Sequence, residues 1–460
     1  MKKNPIFMFI IIALITILYI DGIIAFTFNT AIAKKAEFNV RDIDNIGNRI
    51  LIIAPHPDDE TIATGGLIRN ALSQKKRVLV VFITNGDGFT KSAKKYFHLK
   101  NVNPSDFYQL GLIRQKEALE ALKSLGLSEQ NIIFMGYPDK GLKLLWYNNW
   151  EKPYTALTGF SYSPYPNSYE KNAPYTGQDL NKNLENIIRT FRPTDIFYPD
   201  PNDTNPDHNA TSFFVKYTLL KLNLNIKEYT YLVHHYQWPN PWAYVPISYV
   251  FPPSSLKDAP DIWYKYNLTL NEENLKWQAL NKYLSQMEVM SPFLESFVRR
   301  NELFSFYNPK FITQNNKFDP YNFKKEEITI FQDGIKDGPV TAIDKNIDIE
   351  WSGSVIHGNK IYFILSTRGN ISKNTVYRFQ IHFFYKNDIK RADIEVYNNH
   401  AHYLNTTEFK NEIDTGYNQN ILWISVPIKE TPQKIMFSEE IYQDEFLTDK
   451  TGWHIIITSP

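Results

Sequence analysis

Cysteine is absent from all 460 residues. Disulfides, thiolate metal sites and thiol nucleophiles are therefore excluded, and any metal has to be held by His, Asp or Glu. A charge excess is missing as well, because 50 Lys and Arg face 49 Asp and Glu and leave a formal charge of +1. Without an extended Lys/Arg stripe the chain lacks the electrostatic footprint of a nucleic-acid binder, so no nucleic-acid partner is expected. Neither a Gly-x-Ser-x-Gly elbow nor a Gly-rich phosphate loop occurs. Internal repeats and low-complexity segments are lacking too. Aromatic residues, by contrast, make up 15% of the chain, a content that suits large packed sheets and surfaces that stack on sugar rings.

Lys2 and Lys3 precede an uncharged run from Asn4 to Ile20, and a second apolar patch, Gly22 to Phe26, follows Asp21. This pattern reads as an export signal. Ala31-Ile32-Ala33 has the small residues of a cleavage site, yet the run is nearly long enough to span a bilayer. Residues 1–33 are accordingly expected to be a signal peptide or a membrane anchor. Either way the domains would lie outside the cytoplasm, secreted or anchored, with this segment as the one membrane contact. Export without cysteine suits a bacterial envelope or secreted protein.

From about Asn48 short apolar runs alternate with amphipathic stretches, which predicts an α/β fold. The expected architecture is a Rossmann-like, three-layer, mostly parallel sheet with helices on both faces. Strands are expected at Arg49 to Ala54, Arg77 to Thr84, Asn131 to Met135, Thr194 to Tyr198 and Glu228 to His234. Helical spacing marks the segments between them, one of which ends at Gly126 as a cap. An aromatic insertion, residues 146–177, reads as a packed surface segment or as a rim on which sugars stack. A long helix over 272–304, broken near Pro292, would close this domain, which spans 34–315. Beyond it the period changes to two, predicting an all-β, sandwich-like accessory domain over 325–460.

The chemistry concentrates in "ILIIAPHPDDETIATGG", where His56, Asp58, Asp59 and Glu60 sit at a strand-to-helix turn. A second polar cluster, "DPNDTNPDHNAT", occupies the same kind of turn at residues 200–211. Ligands bind outside the carboxyl ends of strands in such sheets, where the strand order reverses. Meeting there, the two turns would bring His56, an aspartate and His208 together. Two His and one carboxylate are the donor set of a catalytic zinc site, and a divalent cation would stabilise carboxylates that otherwise repel one another. Taken alone, Asp58-Asp59 reads most simply as a helix N-cap and His208 as an exposed loop histidine. His400 and His402 read as an exposed strand-edge pair without a carboxylate partner, and Arg114 as a helical residue either solvated or paired.

At these residues the chain resembles the PIG-L/LmbE family of zinc-dependent N-acetylglucosaminyl deacetylases. The family turn, Ala-His-Pro-Asp-Asp-Glu, stands here as "APHPDDE", with Pro55 between Ala54 and His56. Weaker similarities, "TNGDG", "FMGYPDKGL", "RPTDIFYPD" and "PDHNAT", extend the likeness over roughly residues 48–305 and leave out the β domain. The resemblance implies Zn2+, or another divalent cation, on His56, Asp59 and His208, with Asp58 as general base. Many members read His-Pro-Asp-His where this chain reads Asn205-Pro206-Asp207-His208. Asn205 can donate a hydrogen bond to an oxyanion but cannot deliver a proton. Asp58 would then serve as acid and base, or His234 or His235 would approach from the end of the last strand.

The implied activity is hydrolysis of the N-acetyl group of N-acetylglucosamine-type sugars in an N-acetylated glycan or glycoconjugate. The departure at Asn205 keeps open an alternative, a weakly active or inactive sugar-binding or adhesion protein on the same fold. Oligomeric state is not legible.

Overall fold

The computed structural model describes residues 40–43, 45–256, 262–333, 344–404 and 413–458. The expected signal peptide or anchor, residues 1–33, lies outside the described residues. Among those described, no helix is long and apolar enough to cross a membrane.

The first unit runs β1 (Val40–Asp42), β2 (Arg49–Ala54), α1 (Asp59–Ser73), β3 (Arg77–Thr84), α2 (Thr90–Tyr96), α3 (Pro104–Leu125), β4 (Ile132–Tyr137) and α4 (Leu142–Tyr147). It continues with α5 (Gly177–Phe191), β5 (Asp195–Pro199), α6 (Pro206–Leu222), β6 (Lys227–Tyr231), β7 (Ile262–Asn267), α7 (Leu270–Leu280), α8 (Leu284–Glu295) and β8 (Asn301–Phe306). The sheet order is β1-β7-β8-β6-β5-β2-β3-β4. From β6 to β4 all pairings are parallel, and β8 alone runs against its neighbours. Apolar clusters on the two faces of the sheet bury the strands between layers of helices, which explains why β2 and β3 read as unbroken apolar runs. After β2 the chain builds β3 and β4 on one side, then returns to build β5 and β6 on the other. The order therefore reverses between β2 and β5, and a crevice opens at their carboxyl ends.

Local chemistry sets the boundaries. Asn103 caps α3 through a capping box with Asp106, Pro104 takes the first turn, and Gly126 closes the helix at φ 96°. The expected closing helix is instead two helices and a strand. α8 holds Pro292 and a non-helical Met290, as a missing N–H and a ring clash require. The residues beyond, Asn301–Phe306, are β8. A short apolar run of this kind cannot be told from a helix by periodicity alone.

The second unit packs two β-sheets face to face. Ile349–His357, Lys360–Thr367 and Ile421–Pro427 are consecutive strands of a six-stranded sheet, and Ile389–Tyr397, Val376–Phe384 and Lys434–Gln443 of a seven-stranded one. Phe363 of the first sheet meets Phe437 of the second at 5.1 Å. The sandwich does not stand apart from the α/β unit. Trp453 contacts Phe213 at 4.6 Å and Trp146 at 5.8 Å, and Met436, Phe384 and Ile455 join the same buried cluster.

The aromatic insertion packs along the exposed edge of the sheet. Ser168 bridges Phe134 of β4, and the Tyr169 N–H donates to the Phe134 carbonyl at 2.8 Å. Tyr165 and Tyr175 are fully buried, with Tyr175 donating to the Gly136 carbonyl at 2.9 Å. A covered edge cannot recruit another chain.

Candidate metal centre

Loops from the carboxyl ends of β2, β3, β4, β5 and β6 converge on the crevice. His56 Nδ1, Asp59 Oδ2 and His208 Nε2 form a triangle with sides of 3.2, 3.1 and 3.2 Å, and all three residues are buried. Donors about 2.0–2.1 Å from one tetrahedral centre stand roughly 3.3 Å apart, so this triangle fits a zinc-sized ion. Two imidazoles and a carboxylate also suit zinc chemically. These residues form a group that could hold a metal ion.

The rear atoms of the ligands are held too. The Asp203 carboxylate lies 3.1 Å from His208 Nδ1 and accepts the backbone N–H groups of Val233 and His234, each at 3.0 Å. Such a carboxylate fixes the imidazole tautomer and ring orientation. Asp200 ties the same loop to β6 through Thr230 Oγ1 at 2.8 Å. From the sandwich, Lys450 Nζ donates to the Asp203 carbonyl at 3.3 Å, so the second unit touches the loop that aims His208. On the other side His56 Nε2 stands 3.4 Å from Asp139 and 3.5 Å from Asp207. Burial alone would lower the His56 pKa, but Asp139, Asp207 and Asp59 around it raise it well above the usual value. His208, opposed by burial but facing Asp203 and Asp59, is raised to about 9. The field at this point is negative and calls for a cation.

Asp58 stands beside the triangle at φ 126°, a conformation that residues with a Cβ rarely adopt. Several bonds enforce it. The Asp58 N–H donates to Glu60 Oε2 at 3.1 Å, while Arg114 Nη2 donates to the Pro57 carbonyl at 2.6 Å and to Asp58 Oδ2 at 3.2 Å. Burial raises the Asp58 carboxyl to about 8 even though Arg114 opposes it. Glu60, wholly buried, receives the Tyr283 hydroxyl and so joins α1 to the turn before α8.

The site opens into a cavity of about 410 Å³. His56, Asp58, Asp59, Asn205 and His234 line its polar side, and Phe89, Met290 and Phe293 an apolar wall. Asn205 is the N-cap of α6, its Oδ1 accepting the Asp207 N–H at 2.9 Å. The cap commits Oδ1 and leaves Nδ2 as the group Asn205 can offer to the cavity. The His234 ring lies 4.7 Å from that of His208 and stacks on Phe293 at 5.3 Å. His235 does not line the cavity; its Nε2 meets Ser255 Oγ at 3.3 Å.

Sequence reasoning left four site residues without a role. Arg114 is not solvated but buried and paired with Asp58, and Asp139, Asp203 and Asp207 surround the two histidines. Their one sequence signal is position, since each aspartate follows the carboxyl end of a strand. Far from this site, His402 is exposed as expected but has Glu395 at 3.8 Å.

Comparison with known proteins agrees with this geometry. The family model for GlcNAc-PI de-N-acetylase, PIG-L, matches residues 51–219. The diacetylchitobiose deacetylase of Thermococcus kodakarensis is 24% identical over 187 residues, covering 40% of this chain and 54% of that protein. A 1D-myo-inositol 2-acetamido-2-deoxy-alpha-D-glucopyranoside deacetylase of Mycolicibacterium smegmatis is 40% identical over 79 residues, 17% of this chain and 26% of its own length. Its counterpart from Saccharopolyspora erythraea is 29% identical over 167 residues, 35% and 50% of the two chains. The chain thus spans about half the length, or less, of these curated relatives. Residues 51–219, which carry all three atoms of the triangle and Asp58, are a PIG-L family domain.

Proposed function

We propose that this protein is a zinc-dependent N-deacetylase acting on N-acetylglucosamine-type sugars in an extracytoplasmic glycan or glycoconjugate. The observation that carries the reading is the triangle of His56, Asp59 and His208 with Asp58 beside it at the mouth of a cavity. Relatives named as deacetylases of acetamido sugars support the substrate class. When bound, the metal supplies Lewis acidity toward an acetamide carbonyl and toward water. Asp58 takes the proton of the attacking water and returns it to the amine nitrogen as the amide C–N bond breaks, giving acetate and an amino sugar. Arg114 and the strained turn hold its carboxylate in place. Asn205 Nδ2 offers a hydrogen bond to the developing oxyanion, and His234 presents an imidazole from the cavity wall. The extracytoplasmic setting is supported by Lys2, Lys3 and the uncharged run to Ile20.

Metal analysis with acetate release from N-acetylglucosamine oligomers tests the proposal. Turnover is expected to cease on chelation and return with zinc. Asp58→Asn is expected to keep the fold and the metal while turnover falls by about 10²–10⁴-fold; unchanged turnover would remove Asp58 as the base. Asn205, which cannot supply a proton, favours a second reading, a sugar-binding protein without turnover. Glycan binding with no acetate released from any N-acetylated sugar would decide for it.

A further inference from the structure

The loop after β6, residues 232–256, carries a surface that neither the deacetylation chemistry nor the family match uses. From His235 to Leu256 it contains no Asp, Glu, Lys or Arg, although it displays large side chains to solvent. Tyr236 and Trp242 are each 56% exposed, and Tyr244 and Tyr249 are exposed as well. Clustered exposed aromatics usually mark a contact surface.

The loop is firmly held. Arg299, almost wholly buried, donates through Nη2 to the Pro241 carbonyl at 2.9 Å, through Nη1 to the Val245 carbonyl at 3.2 Å and to Ser248 Oγ, and through Nε to the Ser296 carbonyl at 2.6 Å. Asn301 exchanges hydrogen bonds with the Val250 backbone at 2.8 and 3.0 Å, and Trp238 Nε1 donates to the Phe251 carbonyl at 2.7 Å. Burying an arginine is costly unless its donors are used. Here they are used to fix a loop whose rings face outward, and a prearranged surface loses little entropy on binding.

The surface is also continuous with the cavity. Trp242 packs edge-on against Phe293 at 5.2 Å, and Phe293, which lines the cavity, stacks on His234. Tyr244 rests on Trp277 of α7 at 4.5 Å. A pyranose ring offers an apolar C–H face to such rings and hydroxyl edges to polar neighbours, here Gln237 and Asn240. The loop itself carries no charge from His235 to Leu256, and the acids Glu273 and Glu295 beside Tyr244 repel anions, so the surface favours a neutral ligand over an anionic polymer or an anionic membrane.

We infer that the 235–249 loop, centred on Trp242, is a sugar-binding platform that receives the units of a neutral N-acetylated oligosaccharide next to the one in the cavity. This rests on the deacetylase reading for its substrate class, but it can be tested without turnover.

The test uses the full chain with N-acetylglucosamine oligomers of two to five units. In the wild type, kcat/KM for acetate release is expected to rise with length, and in Trp242→Ala the pentamer-to-dimer ratio is expected to fall about tenfold. In parallel, calorimetry measures pentamer affinity in the Asp58→Asn background with and without Trp242→Ala, where about the same loss is expected. If no acetate is released but Trp242→Ala weakens the pentamer, the platform stands and the deacetylase reading fails. An unchanged ratio together with unchanged pentamer affinity overturns the platform. A blue shift of tryptophan emission on adding phosphatidylcholine vesicles that is lost in Trp242→Ala, with no response to the pentamer, overturns it in favour of a membrane contact.

Discussion

Two aromatic-rich loops flank the end of the sheet that carries the His56, Asp59 and His208 triangle, and they use most of their rings in opposite ways. The insertion between α4 and α5 turns Tyr165 and Tyr175 inward, bonds its own backbone and lies along the edge of β4. The loop after β6 turns Tyr236, Trp242 and Tyr249 outward over a buried arginine. Aromatic content does not separate them; what does is whether a free sheet edge is waiting to be covered. The insertion finds β4, so Tyr165 and Tyr175 become core while Tyr162 and Tyr169 stay exposed. The β6 loop meets a sheet that continues through β8, and apart from the buried Trp238 its large rings stay mostly on the surface. Charge follows the same division, with Glu151, Lys152, Glu170 and Lys171 in the insertion and no charged side chain between His235 and Leu256.

The sharpest way to break this contrast is Tyr165→Ala. The ring is buried, and its hydroxyl donates to Asp87 Oδ2 at 2.5 Å. Losing both is expected to cost about 3–5 kcal/mol in urea unfolding. A loss within about 0.5 kcal/mol would show that the insertion is not core. Next in size is Arg299→Met, which removes the guanidinium bonds to the carbonyls of Pro241, Val245 and Ser296, although Pro241 keeps the Ala243 N–H and Val245 the Ser248 N–H. We expect about 2–3 kcal/mol of destabilisation together with the same loss of length preference as in Trp242→Ala. Destabilisation with the length preference intact would separate the pinning of the loop from its use.

How much of this was legible depends on whether the deciding contact is local. The bounds of β2 and β3 coincide with the apolar runs that mark them, because strands buried on both faces carry their signal in consecutive residues. β7 and β8 carry weaker signals, and β8 was read as helix because its side chains are set by neighbours distant in sequence. The site divides the same way. His56, Asp58, Asp59 and His208 lie in two short motifs, and the strand reversal between β2 and β5 explains how they meet across 152 positions. Arg114 is written on a helix like any surface arginine. Only the fold places Pro57, Asp58 and Gly86 around it. Similarly, composition left 146–177 open between a packed surface segment and a sugar rim, and the edge of β4 on which it packs is supplied only by the fold.

The smallest expected effect is the most discriminating for the insertion. Tyr162 is among its exposed rings, at 41%, and touches Phe160 at 5.5 Å. Among the described residues no hydrogen bond from it reaches the metal loops, so Tyr162→Ala is expected to shift stability by no more than about 0.5 kcal/mol. If exposure alone made a sugar-binding ring, Tyr162 would serve as well as Trp242, and its removal would lower the pentamer-to-dimer ratio. Trp242, however, is joined to the cavity through Phe293 alone, whereas Tyr162 reaches Asp87 beside the cavity only through Phe160, Tyr108 and Tyr165. Unchanged kcat/KM at every oligomer length in Tyr162→Ala, set against the loss in Trp242→Ala, would assign the glycan to the β6 loop. Equal losses in both would instead make the two loops opposite walls of one groove, with continuity to the cavity no longer the criterion.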